Sequence, residues 1–474
     1  MFYEKKVAVA SPSKKRYLLS RYKGFDEKAT VRTLPCDYSG KVRNFGFENG
    51  KLTHGDGFNA FVCKSADGNT FTPAPVPAGY EGAKMKTAIL DDGERLFTFL
   101  LLLGENDILA YNLDSDSGWK KWGSDRKYEN VINYLGEDGY IVLLSGGGNG
   151  ILIESFTGET YVADALEITD MCVHNDRVFG VVADRYSSVW FSDAFDPYNW
   201  NVSLDEGGYV TLDGSQGKVL KLVSFNDYLY IFCEYGIYRM TAYADQLDFS
   251  IKRVARDCGH VFKDSICVFG SVACFATTDG VFVFDGYDVG RLTDKLDRFL
   301  SNAEKVSGVC YSQKYRLLFP DPDGNGNLLA SVDMNTGVTE LYSNTGIYDM
   351  TLLAKEGQTR LLVHSTLSSQ IGEADDSGKF FGVNSAGYWE ISDVDFNDNG
   401  YKKHVVGIDC DAQEEFLIGI SADGVTREYR ILPMMNYFDV DVRGYDLKFY
   451  IRADCNEKPI GAIGVTIQFE KENV

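Results

Sequence analysis

Short apolar runs separated by polar turns recur along the middle of the chain. Each repeat has an apolar strand, a turn containing Gly, Asn or Asp, a more strongly apolar strand, a second turn, and a strand bearing Tyr, Phe or Trp. The spacing of roughly 40 to 50 residues is the length of a four-stranded propeller blade. The pattern predicts an all-β chain with a β-propeller of six or seven blades over residues 81–380. The corresponding positions are Leu96, Tyr140, Val178, Tyr228, Ala273, Tyr315 and Leu361.

An alternative fold remains open at this point. The repeats carry neither a WD nor a kelch signature and their spacing is irregular, so the propeller is inferred from period and strand pattern alone. A string of β-hairpins arranged in two sandwiches has a similar pattern. Helical periodicity is rare, and the one helix predicted spans residues 292–305, LTDKLDRFLSNAEK, with Thr293 as its N-cap.

The two ends of the chain have patterns of their own. Residues 1–80 are predicted to form an N-terminal arm and a hairpin that partly join the propeller, because Asn49-Gly50 lies between alternating residues. After about residue 380, apolar and polar residues alternate with a period of two, as in residues 416–420, 447–451 and 465–469. That alternation predicts a C-terminal β-sandwich over residues 381–474.

Aromatic residues cluster around one turn near the middle of the chain, in VWFSDAFDPYNW at residues 189–200. Pro197 fixes its own φ and pushes Asp196 into an extended conformation, so a strand ends here and the chain turns. Asp196 is expected to bond nearby backbone N–H groups, while Trp190, Tyr198 and Trp200 anchor the turn. The residues assigned to this structural corner are Trp190, Asp193, Asp196, Pro197, Asn199 and Trp200.

Charge and cysteine content narrow the range of functions. The chain has 47 Lys and Arg against 69 Asp and Glu, a net charge of −22. Such a surface does not favour wrapping nucleic-acid phosphates, although it suits a wall along which DNA slides, and solubility alone would explain it equally well. The ten cysteines form no CxxC pair, and no apolar run approaches about 18 residues. We therefore expect a soluble protein made in a reducing cytoplasm.

No catalytic, cofactor-binding or metal-binding residue is predicted. DPDGNGN at 321–327 resembles the first half of a calcium loop, but Val332 stands where the bidentate Glu belongs. SGGGNG at 145–150 lacks the Lys-Ser/Thr of a phosphate loop, and the five histidines have no metal-ligand spacing. Asp193, Asp196, Asp205 and Glu206 are close in sequence, yet with 69 acidic residues that closeness carries little weight.

Three stretches, in this order, carry a resemblance to a known family. RNFGFENGKLTHGDGF resembles an early hairpin of phage neck and tail-hub proteins. VWFSDAFDPYNW, followed by GKVLKLVSFNDYLYIFCEYGIYRM, is similar to a signature of tail nozzle (tail tubular) proteins of short-tailed phages. EEFLIGISADGVTREYRILPM through VTIQFE is similar to the C-terminal β-domain of packaged-DNA-stabilising hub proteins.

The resemblance implies a structural virion protein of a phage tail, without enzymatic activity or cofactor, assembled in the host cytoplasm. It implies a homo-oligomeric ring, often a hexamer, below the portal and adaptor proteins, that continues the DNA channel, helps retain packaged DNA and supports distal tail or fibre proteins. DNA would pass transiently and without sequence specificity, and no membrane insertion is expected. The alternative is a carbohydrate-binding or glycan-cleaving propeller used in host recognition; a cellular propeller scaffold is a third possibility.

Overall fold

The computed structural model describes residues 13–26, 38–65, 67–204, 206–243, 245–394, 396, 400–454 and 458–470. The chain divides into two compact units. Unit 1 comprises Met1–Gly57, Val338–Tyr342 and Asp376–Val474, and unit 2 comprises Phe58–Gly337 and Ser343–Asp375. Residues 1–80, predicted as an arm and hairpin, are thus divided between the two units.

The chain begins in unit 1. Glu48 pairs with Lys51 in a hairpin whose turn, Asn49-Gly50, has φ angles of 51° and 74°. Positive φ at both turn positions is the conformation that an Asn-Gly pair favours between strands. The first strands are β1 (Lys14–Leu19), β2 (Lys41–Arg43), β3 (Gly46–Glu48) and β4 (Lys51–Thr53).

Unit 2 is a β-propeller, and its described residues form seven blades of antiparallel strands. A long strand, β15, ends blade 2 and begins blade 3. The strands before the blades are β5 (Gly57–Ala60), β6 (Cys63–Lys64) and β7 (Thr70–Phe71). Blades 1 to 3 contain β8 (Lys84–Asp91), β9 (Leu96–Leu103), β10 (Asp107–Asn112), β11 (Trp119–Ser124), β12 (Asn130–Gly136), β13 (Gly139–Ser145), β14 (Asn149–Ser155), β15 (Gly158–His174), β16 (Arg177–Val182), β17 (Ser188–Phe191) and β18 (Gly208–Thr211).

Blades 4 to 7 follow the same order from the inner strand outward. Blade 4 has β19 (Val219–Phe225), β20 (Tyr228–Cys233), β21 (Ile237–Thr241) and β22 (Ser250–Ala255), and blade 5 has β23 (Cys267–Phe269), β24 (Val272–Thr277), β25 (Gly280–Phe284) and β26 (Val289–Thr293). Blade 6 has β27 (Ser307–Tyr311), β28 (Lys314–Pro320) and β29 (Asn327–Asp333); the next strand, β30 (Thr339–Tyr342), belongs to unit 1. Blade 7 has β31 (Ile347–Lys355), β32 (Gln358–Ser365) and β33 (Ile371–Asp375).

Middle strands are apolar on both sides because each blade packs between two others. In β9, Leu100 and Leu102 lie in one core cluster with Leu353 of blade 7, while Leu101 lies in another with Val142 of blade 2. Successive side chains of a strand point to opposite faces, so one apolar run serves two blade interfaces. The run LFTFLLLL is therefore explained by a strand buried on both faces.

The propeller closes with residues that precede blade 1. β5 lies beside β33 as an additional strand of blade 7, and Phe61 N donates to Ile371 O at 2.9 Å. On the inner side, Met85 N of β8 donates to the Asp349 carboxylate of β31 at 2.7 Å. Blade 7 is therefore joined to blade 1 at its inner edge and completed at its outer edge by an earlier part of the chain.

The helix predicted at 292–305 is wrong in extent. The one α-helix of the described residues is a single turn, α1 (Asp297–Leu300), and Thr293 pairs with Val281 as the last residue of β26. Because Thr293 takes part in the sheet, it does not cap a helix. Short 3-10 turns occur at Val202–Leu204, Gln246–Asp248 and Lys263–Ser265.

The rest of unit 1 is a β-sandwich built from two sheets. One sheet has the order β1-β42-β37-β40 and the other β2-β36-β41-β38-β39, so the N-terminal strands complete the predicted C-terminal sandwich. Burial alternates along these strands, with Leu447, Phe449 and Ile451 of β41 buried. The later strands of these two sheets are β36 (Gly387–Val394), β37 (Lys402–Cys410), β38 (Phe416–Ala422), β39 (Val425–Ile431), β40 (Tyr437–Gly444), β41 (Leu447–Ala453) and β42 (Ile463–Glu470). Two short strands outside both sheets, β34 (Lys379–Phe380) and β35 (Val383–Asn384), pair with each other.

Candidate functional site

The inner strands of neighbouring blades are joined by two buried aspartates. Asp170 in β15 accepts a hydrogen bond from Leu222 N of β19 at 2.9 Å, and Asp349 in β31 accepts one from Met85 N at 2.7 Å. The strand register shifts immediately before each aspartate, at Ile168 and at Ile347. Such a bulge re-aims a side chain, here from its own blade toward the next one.

A 3-10 turn, Lys263–Ser265, lies at the start of blade 5, and we call it the plug turn. Its three residues make bonds to blades 1, 3 and 6, although the turn belongs to blade 5. These bonds are Lys84 Nζ to Asp264 Oδ2 at 2.7 Å, Lys263 Nζ to Thr169 O at 2.7 Å, and Tyr315 Oη to Ser265 O at 2.7 Å.

Other charged groups gather around the plug turn. Lys221 of blade 4 donates to Ile266 O at 2.8 Å, and Lys263 Nζ lies 3.8 Å from Asp170. Lys86 of β8 acts electrostatically on Asp349 and Asp264. We call the resulting set of four lysines and three aspartates the axial cluster: Lys84, Lys86, Asp170, Lys221, Lys263, Asp264 and Asp349.

Burial and ion pairing act on the pKa values of this cluster in opposite directions. Burial raises the pKa of Asp170 and of Asp349, and nearby lysines offset part of each rise. Burial also opposes the charged forms of Lys84 and Asp264, but their mutual attraction prevails, so the pKa of Lys84 is raised and that of Asp264 lowered. The Lys84–Asp264 pair is therefore the electrostatically favourable centre of the cluster.

The axial cluster is built to hold blades together. Its carboxylates are occupied by backbone N–H groups and ammonium groups, and Asp170 is only 3 % exposed. A Lys84–Asp264 bond of 2.7 Å between blades 1 and 5 fills the axis at this level with side chains. The axis of a single propeller is thus not an open passage for a polymer such as DNA at this level.

Sequence reasoning missed the axial cluster because its members are spread from residue 84 to residue 349. One signal was present. The dipeptide Asp-Met recurs at Asp170-Met171 and Asp349-Met350, at corresponding places on two inner strands. A charged residue that repeats within an otherwise apolar inner strand indicates a contact between blades.

The predicted corner lies in blade 3, between β17 and β18. Asp193 and Asp196 form a one-residue antiparallel bridge, and Asp193 N donates to Asn199 O at 2.8 Å. Asp196 Oδ1 accepts from Tyr198 N at 2.9 Å, the bond expected of a turn aspartate. Trp200 Nε1 donates to Pro197 O at 3.0 Å, which closes the turn.

Two of the three aromatic residues expected to anchor the corner are buried. Trp190 and Trp200 belong to one core cluster of blades 2 and 3, and both are under 10 % exposed. Tyr198, by contrast, is 46 % exposed, so its predicted anchoring role is wrong. Arg177 stabilises the corner, because its guanidinium donates hydrogen bonds to the carbonyls of Ser192 and Glu206.

The other stretches considered for chemistry are turns or isolated side chains. DPDGNGN connects β28 to β29, and Asp321 N donates to Gly326 O at 2.8 Å. SGGGNG connects β13 to β14. Among the described residues, no group of three or more His, Cys, Asp and Glu is arranged to hold a metal ion. No described helix is long and apolar enough to cross a membrane.

Comparison with known proteins gives structural neighbours alone. No protein-family model matches the sequence, and no curated protein is significantly similar to it. BamB from Moraxella catarrhalis aligns at TM-score 0.41 and 10% identity over 70% of this chain and 93% of its own. The N-terminal domain of Nup159 aligns at TM-score 0.40 and 8% identity, over 73% of this chain and 99% of its own. BBS1N, in a complex with ARL6DN, aligns at TM-score 0.39 and 10% identity, over 68% of this chain and 99% of its own. All three are β-propeller proteins, and likenesses this low say nothing of function.

Proposed function

We propose that this chain is a structural virion protein of a phage tail that assembles into a ring, as a hub or nozzle below the portal and adaptor. The observation that carries the proposal is the axial cluster. In unit 2 the axis is occupied by Lys84, Asp264 and their neighbours, which bond blades to one another. A propeller locked in this way serves as a rigid building block.

The edges of one sheet in unit 1 support assembly with further copies. In the described part of the chain, β1 and β40 are the end strands of the same four-stranded sheet. β1 exposes Lys14 and Lys15, whereas β40 exposes Asp439 and Asp441. Open strand edges are templates for pairing with another chain, and two unlike edges on one molecule join head to tail. Repeated head-to-tail contacts produce a ring when the rotation closes.

The charge of the chain fits a ring through which DNA passes. With a net charge of −22 on each copy, a wall made of several copies repels phosphates, so DNA moves along the wall without binding to it. Because the axis of each propeller is filled by the axial cluster, the DNA channel in this proposal is the lumen of the ring. Helping to retain packaged DNA and supporting distal tail parts are functions of that same ring.

Charge reversal at the two edges tests the assembly. Native mass spectrometry of the purified chain, alone and with portal and adaptor proteins, is expected to show a ring. Lys14→Glu with Lys15→Glu is expected to abolish it, and so is Asp439→Lys with Asp441→Lys. An equimolar mixture of the two variants is expected to regain rings with an even number of copies in which the variants alternate, because every acidic edge then meets a basic one. A chain carrying all four changes is also expected to regain the ring. Lys120→Glu, in blade 1, is the control.

A chain that stays monomeric in every one of these mixtures contradicts the proposal. Rings that are unaffected by charge reversal contradict the edge contact and leave the structural role to another interface.

Exposed tyrosines on blades 3 and 4 favour the alternative, a carbohydrate-binding propeller. Tyr186, Tyr209, Tyr235 and Tyr243 are each 44 % to 51 % exposed. Aromatic rings that present an apolar face to solvent are suitable platforms for sugar rings. A glycan array probed with the whole chain decides this: binding that is lost on Tyr209→Ala supports the alternative, and an array without binding removes it.

A further inference from the structure

Three cysteine side chains meet where blade 5 packs against blade 6. Cys267 in β23 pairs in register with Cys274 in β24, so both belong to blade 5. Cys310 in β27 comes from the inner strand of blade 6, and its Sγ lies 2.8 Å from Sγ of Cys267. The three thiols are thus contributed by three strands, two of which are the inner strands of neighbouring blades.

The surrounding structure holds the two blades close at this point. A Cβ on Gly308 would lie 2.8 Å from Ser265 O, so β27 approaches blade 5 more closely than a residue with a side chain permits. Tyr315, which pairs with Cys310 in the sheet, is fully buried and donates to Ser265 O at 2.7 Å. The short distance between the thiols is therefore set by backbone packing that involves the plug turn.

We propose that Cys267 and Cys310 form an oxidation site at which a hydroperoxide produces a disulfide between blades 5 and 6. The separation of 2.8 Å exceeds the ~2.05 Å length of a disulfide bond by less than 1 Å, and both side chains already point at each other. Closing the bond requires a small side-chain movement and no rearrangement of the strands.

Cys267 is the thiol that meets the oxidant. It is partly exposed, whereas Cys274 and Cys310 are buried. The ammonium of Lys221 bonds to the carbonyl of Ile266, the preceding residue, at 2.8 Å. The thiolate form of a cysteine is the form that acts as a nucleophile. The thiolate attacks one oxygen of the hydroperoxide, the O–O bond breaks, and Cys267 becomes a sulfenic acid while hydroxide or alkoxide leaves.

Cys310 completes the reaction. Its sulfur attacks the sulfenic sulfur, the S–O bond breaks, and water leaves with the thiol proton of Cys310. In total, two thiols and one hydrogen peroxide give one disulfide and two waters. Cys274 lies opposite Cys267 in the sheet and can exchange into the bond, which places a third thiol within reach of the same pair.

Peptide mapping of the oxidised wild-type chain tests the proposal directly. The whole protein is treated with hydrogen peroxide, blocked with an alkylating reagent, digested without reductant and analysed by mass spectrometry. The expected result is a Cys267–Cys310 linked peptide, with a smaller fraction of Cys274–Cys310. A thiol-specific reductant is expected to reverse the link, and the oxidised protein is expected to unfold at a temperature several degrees higher.

Cys267→Ser and Cys310→Ser are each expected to abolish the link and the rise in unfolding temperature. Cys410→Ser, in unit 1, is the matched control and is expected to behave as wild type. The mapping on wild type is decisive even if a serine variant does not fold. The proposal is overturned if Cys267 is found as a sulfinic acid without a link, if Cys310 is linked to neither Cys267 nor Cys274, or if no disulfide forms.

Discussion

Lys84 and Asp264 meet across the propeller axis, with Nζ 2.7 Å from Oδ2. Lys84 belongs to the first strand of blade 1 and Asp264 to the turn that starts blade 5, so one ion pair joins two blades that are not neighbours. Their side chains are 29 % and 34 % exposed, which places the pair between a surface ion pair and a buried one. The energetic consequences can be measured by removing one partner at a time.

Replacing the lysine alone is expected to be costly. Lys84→Met leaves the Asp264 carboxylate without its partner, and we expect the free energy of unfolding to fall by about 2 kcal/mol, less than a fully buried pair would lose. Lys84→Met combined with Asp264→Leu is expected to recover most of that loss, because no unpaired charge remains. Denaturant unfolding followed by tryptophan fluorescence gives both values.

The exposed pair Arg430–Glu415 provides the control for that experiment. Its side chains are 66 % and 47 % exposed, and Arg430→Met is expected to lower the free energy of unfolding much less than Lys84→Met does, because solvent screens an exposed pair. Equal losses for Lys84→Met and Arg430→Met would mean that the axial pair contributes no more than a surface contact.

Removing either bulge aspartate is expected to loosen one boundary between blades. Asp349→Ala leaves Met85 N without its acceptor, and Asp170→Ala does the same to Leu222 N. A buried N–H without a partner costs about 1–3 kcal/mol. Hydrogen exchange is expected to accelerate at Met85 in the first variant and at Leu222 in the second. Exchange that is unchanged at both amides contradicts this function of the bulges.

Glu154 is expected to make stability depend on pH. It lies opposite Glu159 in the β14–β15 pair, and burial together with that neighbouring charge raises its pKa to about 7. Between the ordinary pKa of 4.5 and about 7, the folded chain keeps a proton that the unfolded chain has lost. The contribution of Glu154 to the free energy of unfolding is therefore highest below pH 4.5, falls as the pH rises to about 7, and is constant above that.

Glu154→Gln removes this dependence. At pH 8 we expect the variant to be more stable than wild type by about 1–2 kcal/mol, a value reduced for solvent screening of the partly exposed carboxylate. At pH 4 the two are expected to be alike. Thermal unfolding at a series of pH values measures the difference, and parallel curves for variant and wild type would show that Glu154 is not the titrating group.

The corner in blade 3 is expected to be stabilised more by its buried indole than by its turn. Trp200→Ala removes a side chain that is 8 % exposed, and a loss of about 3–5 kcal/mol is expected. Asp196→Ala removes one bond to Tyr198 N and is expected to cost about 1 kcal/mol. Tyr198→Ala, at an exposed position, is the control; a loss as large as that of Trp200→Ala would contradict the burial argument.

Local patterns predicted most of the fold, since strands and turns are encoded by neighbouring residues. The repeat length predicted a propeller of six or seven blades, and the described residues form seven. The prediction of a helix at 292–305 failed because Thr293 pairs with Val281 in the sheet, and this tertiary interaction outweighs helical periodicity. The axial cluster could not be predicted, because Lys84 and Asp264 come together only when five blades have already closed around one axis.

The bond between Phe61 and Ile371 has a consequence for biosynthesis. The ribosome produces Phe61 about 310 residues before its partner. The adjacent strand β5 therefore has no β33 to pair with while the first six blades are synthesised. A translation product that stops before β33 has no last blade to receive β5. Such a product keeps an open strand edge at β5, which is a template for pairing with another chain.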